Sequence, residues 1–443
     1  LRYDPGKKNK DIETVFDFTG TGGYLRAAEK CNGSADCIKP VSAGGTMCPT
    51  YSASKDERLS TRARANMLRE VITNVNDPFN NKDLYSVLDL CLSCKACKTE
   101  CPSNVDVAKL KAEYLQHFYD KNGVPFRSRL VAHITKINKL TAIIPGLSNF
   151  FFKHKIFAVP IMKIIGFSTK RTMPLVSKRT LRKEFKRLDT KIEKGNTQTV
   201  YLFADEFTNF NEADIGVKAV RLLQKLGYEV NIPGIFESGR TYLSKGLVRK
   251  AKKLAEKNLN ILKDIISEDT PMLGIEPSTI LSFRDEYPDF FKPGEVLKED
   301  AKKLAKYTFL IDEFLANEIE KGLINKSVFT TEKKHIKYHG HCQQKAVAST
   351  SPTKKILSFP ENYTVEEIPS GCCGMAGSFG YEKEHYELSM KIGEAVLFPE
   401  IRKTDSETII AASGTSCRCQ IKDGTDRDSM HPIEILWEAL IKA

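Results

Sequence analysis

The sequence predicts a multi-domain α/β protein in which a small helical domain with two metal clusters precedes a duplicated α/β unit. Three observations predict it. The cysteines form separate groups, none lies between residues 102 and 341, and strand-like and helix-like stretches alternate from residue 196 onward. A chain of 443 residues that is 41% hydrophobic can form two or three packed domains. We expect the chain to divide into five segments, which are residues 1–30, 31–125, 126–195, 196–330 and 331–443.

The composition is typical of a metal-binding protein from a reducing compartment. The twelve cysteines are clustered in a long, Lys-rich chain, whereas a disulfide scaffold is short and secreted. The chain has no run of about 18 or more apolar residues, and nothing near Leu1 resembles a signal peptide. We therefore expect a cytoplasmic protein. Because Leu1 is not a start methionine, we also expect segment 1–30 to be a linker from an upstream part.

The segment that ends at Pro102 has the spacing C-x2-C-x2-C-x3-C-P. Three closely spaced cysteines on a tight turn can reach three irons of a cubane, and in two-cluster ferredoxins the fourth cysteine ligates the other cluster. Zinc sites usually have pairs of C-x2-C separated by a longer loop. The spacing therefore favours iron–sulfur ligation by Cys91, Cys94, Cys97 and Cys101.

A second, incomplete cysteine run supplies the remaining ligands. Cys31 and Cys37 keep the same spacing, Ser34 stands at the middle position, and Cys48-Pro49 follows. If the last cysteine of each run ligates the cluster of the other run, which we call crossed ligation, one [4Fe–4S] site has the ligands Cys48, Cys91, Cys94 and Cys97. The other site has Cys31, Cys37 and Cys101. It is a [3Fe–4S] cluster, or a [4Fe–4S] cluster with a water, Ser34 or a distant ligand at one iron; the spacing leaves these open.

Helices are predicted around these cysteines. Ser60 is a suitable N-cap for a helix over 61–75, Asp83 begins a short helix, and Asp106 can cap a helix through Tyr119. Four arginines lie near the cysteines, and two interpretations remain open for them. They raise the reduction potential of anionic clusters, or they form a solvated helix face. The arginines are Arg58, Arg62, Arg64 and Arg69.

Residues 121–195 form a basic segment with 18 Lys/Arg and 3 Asp/Glu, a net +15 within a chain of +12. The rest of the chain is nearly neutral, which argues against nucleic-acid binding. Within 142–167 apolar residues are dense, and Pro145 and Pro160 exclude one long helix. Two alternatives remain open: an element that rests on anionic lipid at the inner face of the membrane and admits a quinone, or a helical connector that buries its apolar face.

The C-terminal half contains an internal repeat of strands and helices. The first copy has strands over 199–204, 228–233 and 272–275, with helices over 212–226 and 244–262. The second has strands over 335–339, 363–369 and 408–412, with a helix over 382–397. Alternating elements predict parallel βαβ units that pack together, with the loops at the strand C-terminal ends meeting in a cleft.

Only the second copy has cysteines. The four main cysteines each follow a predicted strand, and they are Cys342, Cys372, Cys373 and Cys417. They can therefore converge on one site that suits a non-cubane cluster, a cubane or zinc. The alternative is that they are simply buried small residues. Glycines at 371, 374 and 377 are expected to let the backbone approach a bulky group. His341 is a ligand or a hydrogen-bonding residue, and His339 is not predicted to be a ligand. The first copy has 237–240, Glu-Ser-Gly-Arg, at the corresponding place.

These motifs together resemble the iron–sulfur portion of FAD-linked oxidases of the D-lactate, glycolate and related 2-hydroxyacid dehydrogenase group. They are also similar to the iron–sulfur subunit of anaerobic glycerol-3-phosphate dehydrogenase and to heterodisulfide reductase subunits. The resemblance is carried by 31–37, 47–51, 91–102, 340–345, 371–377 and 414–417. It implies an alpha-helical ferredoxin domain followed by a duplicated CCG domain, and a flavin domain, with FAD, before Leu1. Gly414 and Cys419 depart from the C-x2-C of heterodisulfide reductases.

The resulting hypothesis is an electron-transfer chain between a flavin domain or subunit and quinone or another acceptor. No residue is a convincing general base or nucleophile, and no G-x-G-x-x-G occurs between a strand and a helix, so this chain alone is expected to bind no nucleotide. The alternative is thiol–disulfide catalysis at the CCG cysteines, as in heterodisulfide reductases. A third interpretation is a structural zinc site there.

Overall fold

The computed structural model describes residues 12–188 and 198–441. Part of the predicted linker, residues 1–11, lies outside the described residues, whereas Val15, Phe16 and Tyr24 pack into the core of the N-terminal domain. That domain is helical: α1 Tyr24–Glu29, α2 Pro49–Ser54, α3 Thr61–Asn74, α4 Lys82–Asp89, α5 Ala96–Glu100 and α6 Val107–Asn122.

The predicted helix starts in this domain are set by side-chain caps. Ser60 accepts a hydrogen bond from the backbone N–H of Ala63, and Asp106 accepts one from Lys109, as predicted. The helix predicted to begin at Asp83 begins one residue earlier, because Asn81 caps it through the N–H of Leu84. Three of the helices that surround the predicted cluster cysteines are therefore fixed by local sequence.

The basic segment forms short helices, which are α7 Phe126–Ala132, α8 Ile134–Thr141, α9 Pro145–Lys153, α10 Lys155–Ile165 and α11 Leu181–Phe185. No single long helix forms among the described residues of this segment, as predicted, but the break falls at His154 and Pro160 lies inside α10. The carbonyl that loses its partner to Pro160 belongs to Ile156, whose side chain is 77% exposed, so water can reach it. The end of the segment lies outside the described residues, over 189–197.

Most apolar side chains of α9 and α10 are exposed. Ile164 is 79% exposed and Leu147 is 54% exposed, and α9 has no buried residue. Rings of Phe150 and Phe151 pack against Phe157, which joins the two helices. α10 buries Ala158 and Met162 in an apolar cluster of the cysteine-containing part, whereas α9 has no buried residue, so both alternatives for this segment remain predictions.

The cysteine-free part forms a four-stranded parallel sheet in the order β2-β1-β3-β4. The elements are β1 Thr199–Phe203, α12 Ala213–Lys225, β2 Glu229–Asn231, α13 Arg240–Ser244, α14 Val248–Leu262, β3 Met272–Gly274, α15 Pro277–Arg284, α16 Glu286–Asp289, α17 Val296–Lys306, β4 Thr308–Leu310 and α18 Ile311–Glu320. The helix predicted over 244–262 is α14, which begins at Val248, and neither the short helix α13 before it nor the three-residue strand β4 was predicted.

The cysteine-containing part forms a three-stranded parallel sheet in the order β6-β5-β7. Its elements are β5 Lys334–His339, α19 Cys342–Val347, α20 Ser351–Leu357, β6 Tyr363–Glu367, α21 Tyr386–Glu394, α22 Leu397–Arg402, β7 Ile409–Ala412, α23 Thr415–Thr425 and α24 Pro432–Ala439. In both sheets the first strand is central, the second pairs on one side and the third on the other.

The two sheets share a buried core, and the ends of their strands meet. Leu202 and Leu273 of the first sheet belong to the same apolar cluster as Ile336 and Ala411 of the second. After β3, the Glu276 carboxylate accepts a hydrogen bond of 2.7 Å from the Thr415 N–H that follows β7. The loops at the strand C-terminal ends therefore lie together, as the parallel arrangement predicts.

Candidate metal centres

Four of the N-terminal cysteines line one small cavity, and they are Cys48, Cys91, Cys94 and Cys97. Glu100, which lies inside the Cys91–Cys101 run, holds the chain just before Cys48. Its carboxylate accepts hydrogen bonds from the N–H groups of Thr46 at 2.8 Å and Met47 at 3.1 Å. A residue between Cys97 and Cys101 thus anchors the segment that carries Cys48, which is the arrangement that crossed ligation needs.

The surroundings of this cavity fit an anionic cluster. Arg64 is 1% exposed and its Nη1 donates to the Cys48 sulfur at 3.5 Å. Lys111 is also buried, donates to the carbonyls of Asp89 and Cys91 at 3.2 and 2.7 Å, and burial lowers its pKa. Burial raises the pKa of Cys94 well above its usual value. An iron–sulfur cluster would supply the metal that these thiols need and the negative charge that these cations favour.

The other predicted cluster site has three cysteine ligands instead of four. Cys31, Cys37 and Cys101 are all buried. The Arg62 N–H at the start of α3 donates to the Cys37 sulfur at 3.3 Å, although burial and the neighbouring Cys48 and Cys31 raise the pKa of Cys37. Ser34 is exposed, so its hydroxyl is not enclosed with these sulfurs.

The other arginines near the cysteines have different surroundings. Arg58 is exposed and pairs with Asp56 at 2.7 Å, and Arg69 lies 3.8 Å from Glu70. Of these four arginines, Arg64 is therefore the one whose guanidinium donates a hydrogen bond to a predicted cluster ligand.

The four cysteines of the second sheet converge, as predicted, and we call them the CCG site: Cys342, Cys372, Cys373 and Cys417. Cys342 begins α19 after β5, the adjacent pair follows β6, and Cys417 lies in the first turn of α23 after β7. Hydrogen bonding with Cys372 lowers the pKa of Cys342 to about 7. Hydrogen bonding with Cys372 and Cys417 holds the pKa of Cys373 well below its usual value. The same hydrogen bonds raise the pKa of Cys372 and Cys417 well above its usual value, so the site favours the thiolate, the form that binds metal, at Cys342 and Cys373 only.

Two of the three glycines of this loop, Gly371 and Gly374, approach protein backbone, whereas a Cβ on Gly377 would meet no atom within 4 Å, so their predicted approach to a bulky group stays a prediction. A Cβ on Gly371 would lie 3.1 Å from the carbonyl oxygen of Gly45 and from the Cα of Thr46. Gly374 has a φ of +94° and a Cβ there would lie 2.4 Å from the Ser389 carbonyl oxygen. The glycines thus dock the CCG loop onto the segment before Cys48 and onto α21.

His339 is the residue that the sequence did not predict to be at this site. It ends β5 and is fully buried. Its Nδ1 lies 2.7 Å from the Ser370 hydroxyl. A ring nitrogen of His339 and the sulfurs of Cys373 and Cys417 all lie within 4.8 Å of one another. The signal available in the sequence was the position of His339 at a strand end, which is also where the cysteines stand. His341, by contrast, caps α19 by accepting from the Gln343 N–H at 3.2 Å.

The two metal-binding regions contact each other. Leu92 is buried in one apolar cluster with Cys342 and Cys372, and Cys94 packs against that cluster. The Gln343 side chain donates to the Ser93 carbonyl at 3.3 Å. The cysteine-containing part makes another contact with the N-terminal domain, where His385 Nε2 lies 3.0 Å from the Asp89 carboxylate. The Cys91–Cys101 run is thus in direct contact with the CCG site.

In the cysteine-free part of the chain, acidic and basic side chains follow the strands and reach the cluster loop. Glu206, after β1, accepts from the Ser238 N–H and hydroxyl at 2.9 and 2.8 Å. Arg240 pairs with Glu286 at 2.7 Å, and Glu286 also pairs at 2.7 Å with Lys95. Lys95 lies between Cys94 and Cys97, so this part of the chain holds the cluster loop through buried ion pairs and offers no thiolate.

The comparison with protein families matches the N-terminal part. Residues 30–106 match a family model described as a 4Fe-4S dicluster domain. All seven N-terminal cysteines lie inside this range. The chain carries a 4Fe–4S dicluster domain. This supports the prediction of iron–sulfur clusters in this part of the chain, and the ligand assignment of the individual cysteines stays a prediction.

The chain is 28% identical to D-2-hydroxyglutarate dehydrogenase of Pantoea ananatis over 94% of this chain and 44% of that protein. It is 24% identical to one of the subunits of anaerobic glycerol-3-phosphate dehydrogenase of Escherichia coli, over 76% of this chain and 83% of that protein. Lactate utilization protein A of Bacillus subtilis is 26% identical over 51% of this chain and 90% of that protein.

These similarities confirm the predicted resemblance to the iron–sulfur region of this group of oxidoreductases. The chain spans less than half the length of the D-2-hydroxyglutarate dehydrogenase that it matches. No solved structure is significantly similar to it.

Proposed function

We propose that the chain is the iron–sulfur electron-transfer portion of an FAD-linked 2-hydroxyacid dehydrogenase of the lactate or glycolate type, and that it conducts electrons from the flavin to quinone or another acceptor. The observation that carries this proposal is the contact of the dicluster domain with the CCG site, where Cys94 packs beside Cys342. Clusters at these cysteines, when bound, would accept and release single electrons. Because the matched dehydrogenase is more than twice as long, the flavin would lie on a further domain or on another chain.

The proposal includes two iron–sulfur clusters. The first is a [4Fe–4S] cluster held by Cys48, Cys91, Cys94 and Cys97. The second is a [3Fe–4S] or [4Fe–4S] cluster held by Cys31, Cys37 and Cys101, and the exposure of Ser34 supports water or an open position at its fourth corner. The CCG site would hold a third cluster or zinc.

We also propose that segments 196–330 and 331–443 are the two copies of a duplicated CCG domain. The shared strand order of the two sheets and the common core support this. The remaining proposed segments are the helical iron–sulfur domain at 31–125 and the connector at 126–195. In this arrangement the cysteine-free copy stabilises the cluster loop through the ion pairs of Lys95 with Asp285 and Glu286.

Thiol–disulfide catalysis at the CCG site is not favoured, because the relatives named above are a dehydrogenase, one part of another dehydrogenase and a lactate utilization protein. In our proposal no residue of this chain acts on the hydroxyacid. Its side chains instead bind the clusters, as Cys48 does, and set the charge around them, as Arg64 and Lys111 do.

A peripheral membrane contact is part of the proposal. The exposed apolar side chains of α9 and α10 alternate in sequence with Lys153, Lys155 and Lys163, which suits an anionic lipid surface and access to a lipid-soluble quinone. Within residues 12–188 and 198–441, none of the helices is both long and apolar enough to cross a bilayer.

The relay is tested by measuring iron, acid-labile sulfide and zinc per chain on anaerobically prepared protein, with electron paramagnetic resonance before and after reduction. We expect about seven or eight irons in the dicluster domain and magnetic coupling between reduced clusters. Zinc with little iron or sulfide, even after anaerobic cluster reconstitution, would defeat the electron-transfer proposal.

A further inference from the structure

His339 has the burial and the hydrogen bonding of a metal ligand whose ring is oriented by its neighbours. The imidazole is fully buried and its Nδ1 is engaged by the Ser370 hydroxyl at 2.7 Å. Its Nε2 has no nitrogen or oxygen hydrogen-bond partner among the described residues, and the ring also interacts with the Cys373 side chain. Orphaned buried nitrogens are rare, and each needs a partner. Metal-ligating histidines commonly use one ring nitrogen for an outer hydrogen bond and the other for the metal.

The spacing around His339 suits one ion. Donors that share a tetrahedral zinc lie about 3.5–3.8 Å apart, given bond lengths of about 2.0 Å to nitrogen and 2.3 Å to sulfur. The His339 nitrogen and the Cys373 and Cys417 sulfurs lie within 4.8 Å of one another, so a small movement brings them onto one ion.

The cysteines of the dicluster domain provide an internal comparison. No three of these seven, all among the described residues, come within 4.8 Å of one another. Thiolates of a cubane bind different irons and must stand farther apart than donors of a single ion. Among the described cysteines and histidines, the close grouping that one ion needs is therefore found at the CCG site and not in the N-terminal domain.

We propose that His339, Cys373 and Cys417 bind a single zinc ion, with Cys342 or Cys372 as the fourth ligand. This proposal deepens, and rests on, the proposed metal-binding role of the CCG site. Mixed imidazole and thiolate donors in a closed tetrahedral set are typical of structural zinc. The Met375 N–H, which lies 3.5 Å from the Cys373 sulfur, adds a hydrogen bond that favours the thiolate.

The ion would hold the end of the second sheet together. His339 ends β5, Cys373 follows β6 and Cys417 follows β7, so one ion joins all three strands of the sheet. The same ion would fix the CCG loop that packs against the segment before Cys48. A structural ion here therefore positions the surface that meets the dicluster domain.

The test uses the full chain, prepared anaerobically with iron and zinc supplied, and compares wild type with His339→Ala, His339→Cys and His335→Ala. His335 is an exposed histidine at the other end of β5 and serves as the matched control. Zinc and iron per chain, zinc affinity and the zinc X-ray absorption spectrum are measured. Circular dichroism verifies that each variant is folded.

We expect about one zinc per wild-type chain with imidazole and sulfur scattering. His339→Ala should lose more than about 100-fold in zinc affinity, above the loss typical for an outer-shell partner. His339→Cys should keep zinc with sulfur ligands only, and His335→Ala should match wild type. The proposal is overturned if His339→Ala keeps zinc with an unchanged spectrum, or if wild type binds additional iron there in place of zinc. The iron and spin signals of the dicluster domain report separately on the relay.

Discussion

The Arg64 guanidinium lies against a predicted cluster ligand, with its Nη1 3.5 Å from the sulfur of Cys48. Arg64 also donates to the Val87 carbonyl at 3.1 Å, so the charge is fixed in place. A buried cation beside an anionic cluster stabilises the reduced form. We expect Arg64→Gln to lower the reduction potential of this cluster by roughly 60–120 mV, since each decade of a one-electron equilibrium is about 59 mV.

The potential is measured by a redox titration monitored by electron paramagnetic resonance. Arg64→Lys should keep most of the wild-type potential because it keeps the charge. Arg58→Gln is the matched control, since Arg58 is exposed and pairs with Asp56. An unchanged potential in Arg64→Gln, with full cluster content, would show that the charge of Arg64 does not tune the cluster.

Crossed ligation makes a second prediction. Cys48→Ser should damage the cluster held by Cys91, Cys94 and Cys97, because Cys48 lines the same cavity. Cys101→Ser should instead damage the other cluster. Iron and sulfide per chain, with the spectra of the oxidised and reduced protein, distinguish the two. Cys419→Ser is the control, since Cys419 is outside both sets. If Cys101→Ser removes the first cluster and Cys48→Ser spares it, the ligands are not crossed.

Local sequence was enough to predict the N-terminal domain. The caps at Ser60 and Asp106 act within one helical turn, so the sequence contains the whole interaction. The spacing of the cysteines likewise predicts which thiols share a cluster. The parallel pairing in both sheets follows from the alternation of strands and helices, whereas the strand order, with β1 and β5 inside, was not predicted.

What the sequence could not predict depends on distant contacts. The role of His339 at the CCG site requires that Cys373 and Cys417 be brought to the end of β5 by other strands. The burial of Lys95 depends on Asp285 and Glu286, nearly two hundred residues away. Exposure of the apolar face of α9 is also a tertiary property, since the same pattern suits a buried connector.

Buried carboxylates in the first sheet predict a stability that falls as pH rises. Burial raises the pKa of Glu206 to about 7, and burial with the charge of Glu206 raises the pKa of Asp205 to about 8. The folded chain therefore keeps protons that the unfolded chain releases near pH 4 to 5. The stabilisation is complete below that range and is lost as pH rises through about 7 to 8. For Glu206 it amounts to at most roughly 3 kcal/mol.

Urea denaturation from pH 5.5 to 8 checks this prediction. Glu206→Gln keeps both hydrogen-bonding positions toward Ser238 but cannot ionise, so its midpoint should fall less with pH than that of wild type. Glu299→Gln, at an exposed glutamate paired with Lys302, should leave the wild-type slope unchanged. Equal slopes in Glu206→Gln and wild type would mean that Glu206 is already ionised in the folded chain.

The membrane proposal predicts salt-sensitive binding to anionic vesicles. Ile156 and Ile164 are 77% and 79% exposed and would insert, while Lys153, Lys155 and Lys163 would contact anionic headgroups. We expect the double variant Ile156→Ser, Ile164→Ser to bind roughly 10–100-fold more weakly, since burying an isoleucine contributes about 1.5–3 kcal/mol when complete and less at an interface. Flotation with anionic and neutral vesicles at low and high salt measures this.

The chain offers a matched control for that experiment in a distant pair of exposed apolar residues. Val296 is 81% exposed and Leu323 is 51% exposed, and both lie in the cysteine-free part of the chain. Val296→Ser with Leu323→Ser removes similar apolar surface without touching α9 or α10, so its binding should equal that of wild type. If both double variants weaken binding equally, the contact is a general property of the surface. If wild type does not float with anionic vesicles at low salt, the exposed face does not bind lipid and the acceptor must be reached in solution.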